Sequence, residues 1–264
     1  MTSWGTERSF PLVGGAITGA RGGAESAAVM GFVATAAVAG GALHVAGSGP
    51  VDPLRTVISD YVMVPGGYAL LALAAVALAA ASLALAAGLF RSGLPRPGLP
   101  ATLLVIGAVA LLVAGAVPTN LPGQPVDVAA MIHRVAGGAT FVSLPLAGWL
   151  IARRAATGSG EWRARASLLR WSGVVAGILT AGFLVAQIPI VIGGSPLFPY
   201  VGGAERLVCA TVMVVLVTTA RVMWTATAGA VAPRAARSSG PIGAVELGAV
   251  VGVELPMVGL GRVA

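Results

Sequence analysis

Apolar and polar positions do not alternate along this chain; they separate into long apolar runs and short polar breaks. Six runs rich in Ala, Leu and Val are long enough to cross a hydrocarbon core of about 30 Å, which takes roughly 20 helical residues. They are Glu25–Gly47, Gly67–Phe90, Pro100–Thr119, Val126–Ala152, Trp171–Gly193 and Ala204–Thr227. The breaks collect the glycines, prolines and charges, as loops do. A transmembrane barrel would show segments of about ten residues with every second position apolar. The pattern therefore predicts an all-α fold: a six-helix membrane domain over residues 25–230, between an N-terminal segment 1–24 and a flexible tail 231–264 too interrupted to span. The first run is longer than the core of a signal peptide and no small-x-small site follows it, so it reads as a span.

A shorter pattern lies between the first two spans. Asp52 is a good N-cap, and Pro53 suits the first helical position, where its missing N–H costs nothing. Leu54, Val57, Ile58, Tyr61 and Val62 then recur at helical spacing. Arg55, Thr56, Ser59 and Asp60 occupy the other side, and Pro65-Gly66-Gly67 ends the run. This spacing predicts an amphipathic helix lying in the membrane interface, with its polar face toward a cavity or the other loops.

Composition narrows the class. Of 264 residues, 57% are hydrophobic and 9% charged, against about 25% charged in a soluble domain. That excludes an ordinary soluble enzyme and a disordered chain, and the single Cys209 excludes an intrachain disulfide framework. All 16 basic residues are arginine. With the N-terminus cytoplasmic, thirteen arginines and five acids fall inside, three arginines and four acids outside, so the net +7 divides into +8 and −1. The positive-inside rule then predicts a multi-pass protein of the inner (plasma) membrane with both termini cytoplasmic. The scattered basic charge faces anionic lipid and calls for no nucleic-acid partner; the expected partners are membrane lipids. Gly173-x-x-x-Gly177 and Ala136-Gly137-Gly138 permit close helix approach within the bundle or in a homo-oligomer. Trp162 and Trp171 among Arg163, Arg165 and Arg170 read as a cytoplasmic interface anchor.

The residues able to do chemistry gather on the opposite, outer side. Ionisable groups near a membrane are costly and mark sites. The candidate ligand-binding set is His44, Arg55, Ser59, Asp60, Tyr61, His133, Glu205 and Arg206. His44, Asp60 and His133 are zinc-compatible types, and two histidines can ligate haem. They stand on three separate segments with no enforcing spacing, so neither metal nor cofactor is assigned. The simplest pairings are His44 with Asp60, His133 with Asp127 or Glu205, and Glu205-Arg206 with Asp60 or Arg55. Pro189 is expected to kink the fifth span and Gln187 to line a shallow cavity there.

The run Asp52-Pro53-Leu54-Arg55-Thr56-Val57-Ile58-Ser59-Asp60-Tyr61 after His44 resembles the signature of the domain-of-unknown-function 998 family, bacterial and archaeal membrane proteins of about six spans. Pro118-Thr119, His133 and Gly203-Ala204-Glu205-Arg206 are similar to its later features, and the resemblance covers roughly Val29 to Thr227. Asn120 stands where an acid is expected, leaving Asp127 to substitute. The resemblance implies fold and topology and carries no activity. Two functional readings follow: a membrane protein that binds a lipid head group or small amphiphile in an outer polar pocket, or a membrane-embedded enzyme, with or without a metal, acting on a lipid at the outer leaflet.

Overall fold

A computed structural model describes residues 14–120, 124–193 and 198–238, with side chains over 23–120, 124–190 and 198–228. Among them the fold is all-helical. The long helices are α1 (Gly14–Ala46), α2 (Gly67–Leu89), α3 (Gly98–Ala116), α4 (Val128–Ala156), α6 (Ala166–Gly193) and α7 (Val201–Ser238); α5 (Gly160–Ala164) is a single turn between α4 and α6. Six helices are long and apolar enough to cross a membrane, as the apolar runs predict. Helix α7 continues into the expected tail as far as Ser238; residues 1–13 and 239–264 of the expected terminal segments lie outside the described residues.

Consecutive spans pack side by side, α1 on α2, α2 on α3, α3 on α4, α4 on α6 and α6 on α7, and α7 closes the ring on α1 while also reaching α2 and α4. Between 22% and 50% of each span's most apolar window is buried inside the bundle. Much of the rest faces outward, including Val38, Val109, Ile178 and Val214, which is the surface lipid requires. Since lipid tails are as apolar as leucine, close packing holds such helices together. Small residues supply it: a methyl on Gly148 would lie 2.5 Å from Val215 of α7, and one on Gly88 2.5 Å from Sδ of Met223. Of the predicted glycine pair, Gly173 meets the α4 backbone at Gly148 and Trp149, within 3.2 Å of an added Cβ, whereas nothing approaches Gly177. The core contains Leu85, Leu89, Leu104, Leu144, Ile151, Leu216 and Met223, each nearly fully buried.

The arginine-bearing end is tied together. Arg91, after α2, pairs with Glu25 of α1, and Trp162 Nε1 donates to the Ser92 carbonyl at 2.8 Å. Trp162 is thus a buried strut, not the expected interface anchor; Trp171, 61% exposed with Arg170 beside its ring, does face outward.

Residues 52–63 differ from expectation. Asp52 does cap, its Oδ1 accepting from Leu54 N at 2.9 Å, and Arg55 and Thr56 N–H groups bond the Asp52 carbonyl. Residues 53–55 form only a turn and no helix follows from it: Val57 is extended, and a 3₁₀ helix occupies Ile58–Met63. A continuous α-helix would bond Ile58 N–H to the Leu54 carbonyl. Both groups are taken by α7 instead: Ile58 N donates to Glu205 Oε2 at 2.6 Å, and Gly203 N donates to Leu54 O at 3.0 Å. Tertiary hydrogen bonds have outcompeted the local ones.

Candidate functional site

The 3₁₀ helix lies over the end of the bundle opposite the arginines, and two glycines let it close down. A Cβ on Gly202 would overlap the Thr56 carbonyl and lie 2.8 Å from that of Pro53; one on Gly47 would overlap the Tyr61 ring. Tyr61, 1% exposed, packs beside His44 with centroids 5.3 Å apart. The Arg206 guanidinium lies 5.4 Å over the same ring.

Arg206 is the hub. Its Nε donates to His44 Nε2 at 2.6 Å, and its Nη1 donates to the carbonyls of Thr56 at 2.8 Å and Gly202 at 2.9 Å. His44 Nδ1 faces the Gly40 carbonyl at 2.6 Å. A carbonyl only accepts, so Nδ1 carries the hydrogen and Nε2 presents its lone pair to Arg206: one neutral tautomer satisfies both contacts. His44 is therefore bonded to its own helix and to α7, not to Asp60.

His133 is held differently. Its Nδ1 donates to the carbonyls of Ala114 and Val117, both at 2.9 Å, at the end of α3, where carbonyls lack helical partners. Neither Asp127 nor Glu205 is its partner. Asp127 caps α4, accepting from Ala130 N at 2.7 Å. Nε2 of His133 makes no hydrogen bond among the described residues.

Asp60 is 9% exposed. Burial pushes its carboxyl above the ordinary range, against the opposing pull of a hydrogen bond from the Val57 backbone and of the Arg134 and Arg206 charges. Arg55 points away: its side chain is 75% exposed and pairs with Asp52 at 3.4 Å. Arg134 reaches Asn120 Oδ1 at 3.4 Å. The expected ion pairs of Glu205 and Arg206 with Asp60 or Arg55 are absent among the described residues.

Beneath this cap is a cavity of about 220 Å³. At its mouth are His44, Ser59, Tyr68, His133 and Glu205; its deep end is formed by Ala36, Leu78, Thr140 and Met213. From His44 to Ala36 is eight residues, so it runs about 12 Å along the bundle at 1.5 Å per residue. Of the predicted site residues, His44, Ser59, His133 and Glu205 line it; Arg55, Asp60, Tyr61 and Arg206 do not, nor does Gln187. Pro189 lies inside α6, which continues to Gly193.

Three polar lining residues were missed as site residues by sequence reasoning, Tyr68, Thr140 and Cys209. The spacing carried a signal: His133, Gly137 and Thr140 recur at i, i+4 and i+7, and Glu205, Cys209 and Met213 at i, i+4 and i+8, each set on one helix face. Thr140 is 5% exposed and its Oγ1 has no hydrogen-bond partner, an uncommon condition for a buried hydroxyl.

For metal, the donors are poorly disposed. Both nitrogens of His44 are engaged, so it offers no lone pair to zinc or haem, and the described residues hold no group of three His, Cys, Asp or Glu able to surround an ion.

The sequence profile of a family described as proteins of unknown function (DUF998) matches residues 27–222. The chain belongs to the DUF998 family. The matched span takes in the 3₁₀ cap, both histidines and Arg206, so the whole of the site lies within the DUF998 region. No curated protein and no solved structure gives a significant match.

Proposed function

We propose that this DUF998 membrane protein binds a small amphiphile in the cavity beneath its 3₁₀ cap. One observation carries the reading: the wall is largely apolar in depth, with its imidazoles and carboxyl, His44, His133 and Glu205, gathered at the end beneath the cap. That division matches an apolar tail below a polar head. A volume of about 220 Å³ lies below the roughly 300–1,000 Å³ of sites for drug-sized molecules. It suits a single short chain, not a two-chain lipid.

The reading includes orientation. The arginine-rich end faces the cytoplasm and the capped cavity opens toward the outer side of the plasma membrane, as the distribution of charge favours. Binding is preferred to metal-dependent catalysis on a lipid, because that chemistry would lean on His44, whose nitrogens are occupied.

The test is mass spectrometry of protein extracted into nanodiscs. A small single-chain species retained near one per protein, and absent from empty nanodiscs, is the expected result. A retained profile identical to that of empty nanodiscs overturns the reading.

A further inference from the structure

The mouth of the cavity has an unusual balance of hydrogen-bonding groups. Glu205 Oε2 accepts from Ile58 N, leaving Oε1 open. His133 donates from Nδ1 to two carbonyls, and in the neutral ring its Nε2 is an acceptor. Ser59 Oγ has no hydrogen-bond partner among the described residues and can accept as well. The Tyr68 hydroxyl, a donor, is already committed to the Ala116 carbonyl at 3.1 Å.

Positive charge is missing from the wall. The chain has no lysine, and no arginine lines the cavity. Arg206, the nearest, aims three of its hydrogen bonds at His44, Thr56 and Gly202. Arg134 is turned toward Asn120. Arg206 Nη2 keeps no hydrogen-bond partner, but Arg206 lies behind His44, outside the wall, so an anionic head group, phosphate or carboxylate, would meet acceptors and an acid in the wall itself, which is costly in a low-dielectric site.

We infer that the cavity selects amphiphiles with a primary amine head. The inference rests on the amphiphile reading above and names its ligand class. An ammonium offers three N–H donors, and the mouth offers three acceptors: Glu205 Oε1, His133 Nε2 and Ser59 Oγ. An amine also suits Glu205 in either protonation state. If Glu205 enters as a carboxylic acid and the amine neutral, one proton passes from oxygen to nitrogen, and the products are a carboxylate and an ammonium. The site's net charge is unchanged by that transfer, and the resulting pair is charge-assisted on both sides. An alcohol donates one hydrogen and gains no such pair.

The test compares octylamine, 1-octanol, octanoate and octyltrimethylammonium for binding to the full-length protein in nanodiscs, with empty nanodiscs as the baseline. Octylamine is expected to bind at least tenfold more tightly than each of the others. Octyltrimethylammonium keeps the charge but has no N–H, so its weakness separates hydrogen bonding from charge alone. Glu205→Gln, which keeps a carbonyl oxygen for Ile58 N, is expected to bring octylamine to within twofold of 1-octanol. If that variant does not fold, the wild-type series decides by itself. Octanol or octanoate binding as tightly as octylamine overturns the amine preference and leaves the amphiphile reading in place. Failure of all four to bind overturns both.

Discussion

Arg206 on α7 and His44 on α1 are joined by a 2.6 Å hydrogen bond that only the neutral, Nδ1-protonated form of the imidazole can make. The same guanidinium holds the Thr56 carbonyl of the connecting loop. Two residues 162 apart in sequence thus lock the first span, the cap and the last span together.

Arg206→Ala removes all three contacts and leaves the Nε2 of His44 and the Thr56 carbonyl unpaired. Hydrogen bonds to charged groups contribute about 1.5–3 kcal/mol each, so a stability loss of about 3 kcal/mol or more is expected. Arg206→Lys should recover little of it, since one ammonium cannot reproduce the planar fork. Thermal unfolding in detergent checks both, and a double-mutant cycle with His44→Ala should show coupling above about 0.5 kcal/mol.

Glycine positions separate by what a methyl would meet. Gly202→Ala drives a Cβ into the backbone carbonyls of Thr56 and Pro53, and overpacking costs about 1–3 kcal/mol. Gly31→Ala meets nothing within 4 Å and should stabilise by up to about 1 kcal/mol through helix propensity. Opposite shifts in melting temperature are the expected outcome.

Asp60 gives the protein a pH dependence of defined sign. Its carboxyl titrates above the ordinary range because it is buried, so the folded state holds this proton more tightly than the unfolded state does. That contribution is fully present below the ordinary pKa of 3.8 and is lost as pH rises through the raised value. Asp60→Asn does not titrate, so its advantage over wild type should grow from pH 4 to neutrality. Melting curves of both proteins across that range check it; a wild type that gains stability relative to Asp60→Asn as pH rises contradicts it.

The spans were legible in the sequence because lipid demands an unbroken apolar run, and no loop residue imitates one. The 52–63 segment was only half legible. Asp52 and Pro53 start a turn as their chemistry dictates, but what keeps it from growing into a helix is Glu205 and Gly203, about 150 residues away. The cap was visible; its competitor was not. Likewise both histidines stood out by type, while their partners did not, since backbone carbonyls at Gly40, Ala114 and Val117 leave no trace in side-chain chemistry. The cavity was hardest to see. Leu78, Leu111 and Met213 line it, and in one dimension a cavity wall and a packed core read alike.

The amphiphile site is tested most directly by filling it. Gly137 lines the cavity, and a Cβ added there meets nothing within 4 Å, so Gly137→Leu starts its side chain in open space and is expected to fill the void. The decisive quantity is the amount of octylamine bound per protein, wild type against Gly137→Leu, in the same nanodiscs. The expected result is about one equivalent in wild type and a loss of at least tenfold in affinity in the variant, with no fall in melting temperature. Equal binding by both proteins would contradict the placement of the ligand in this cavity.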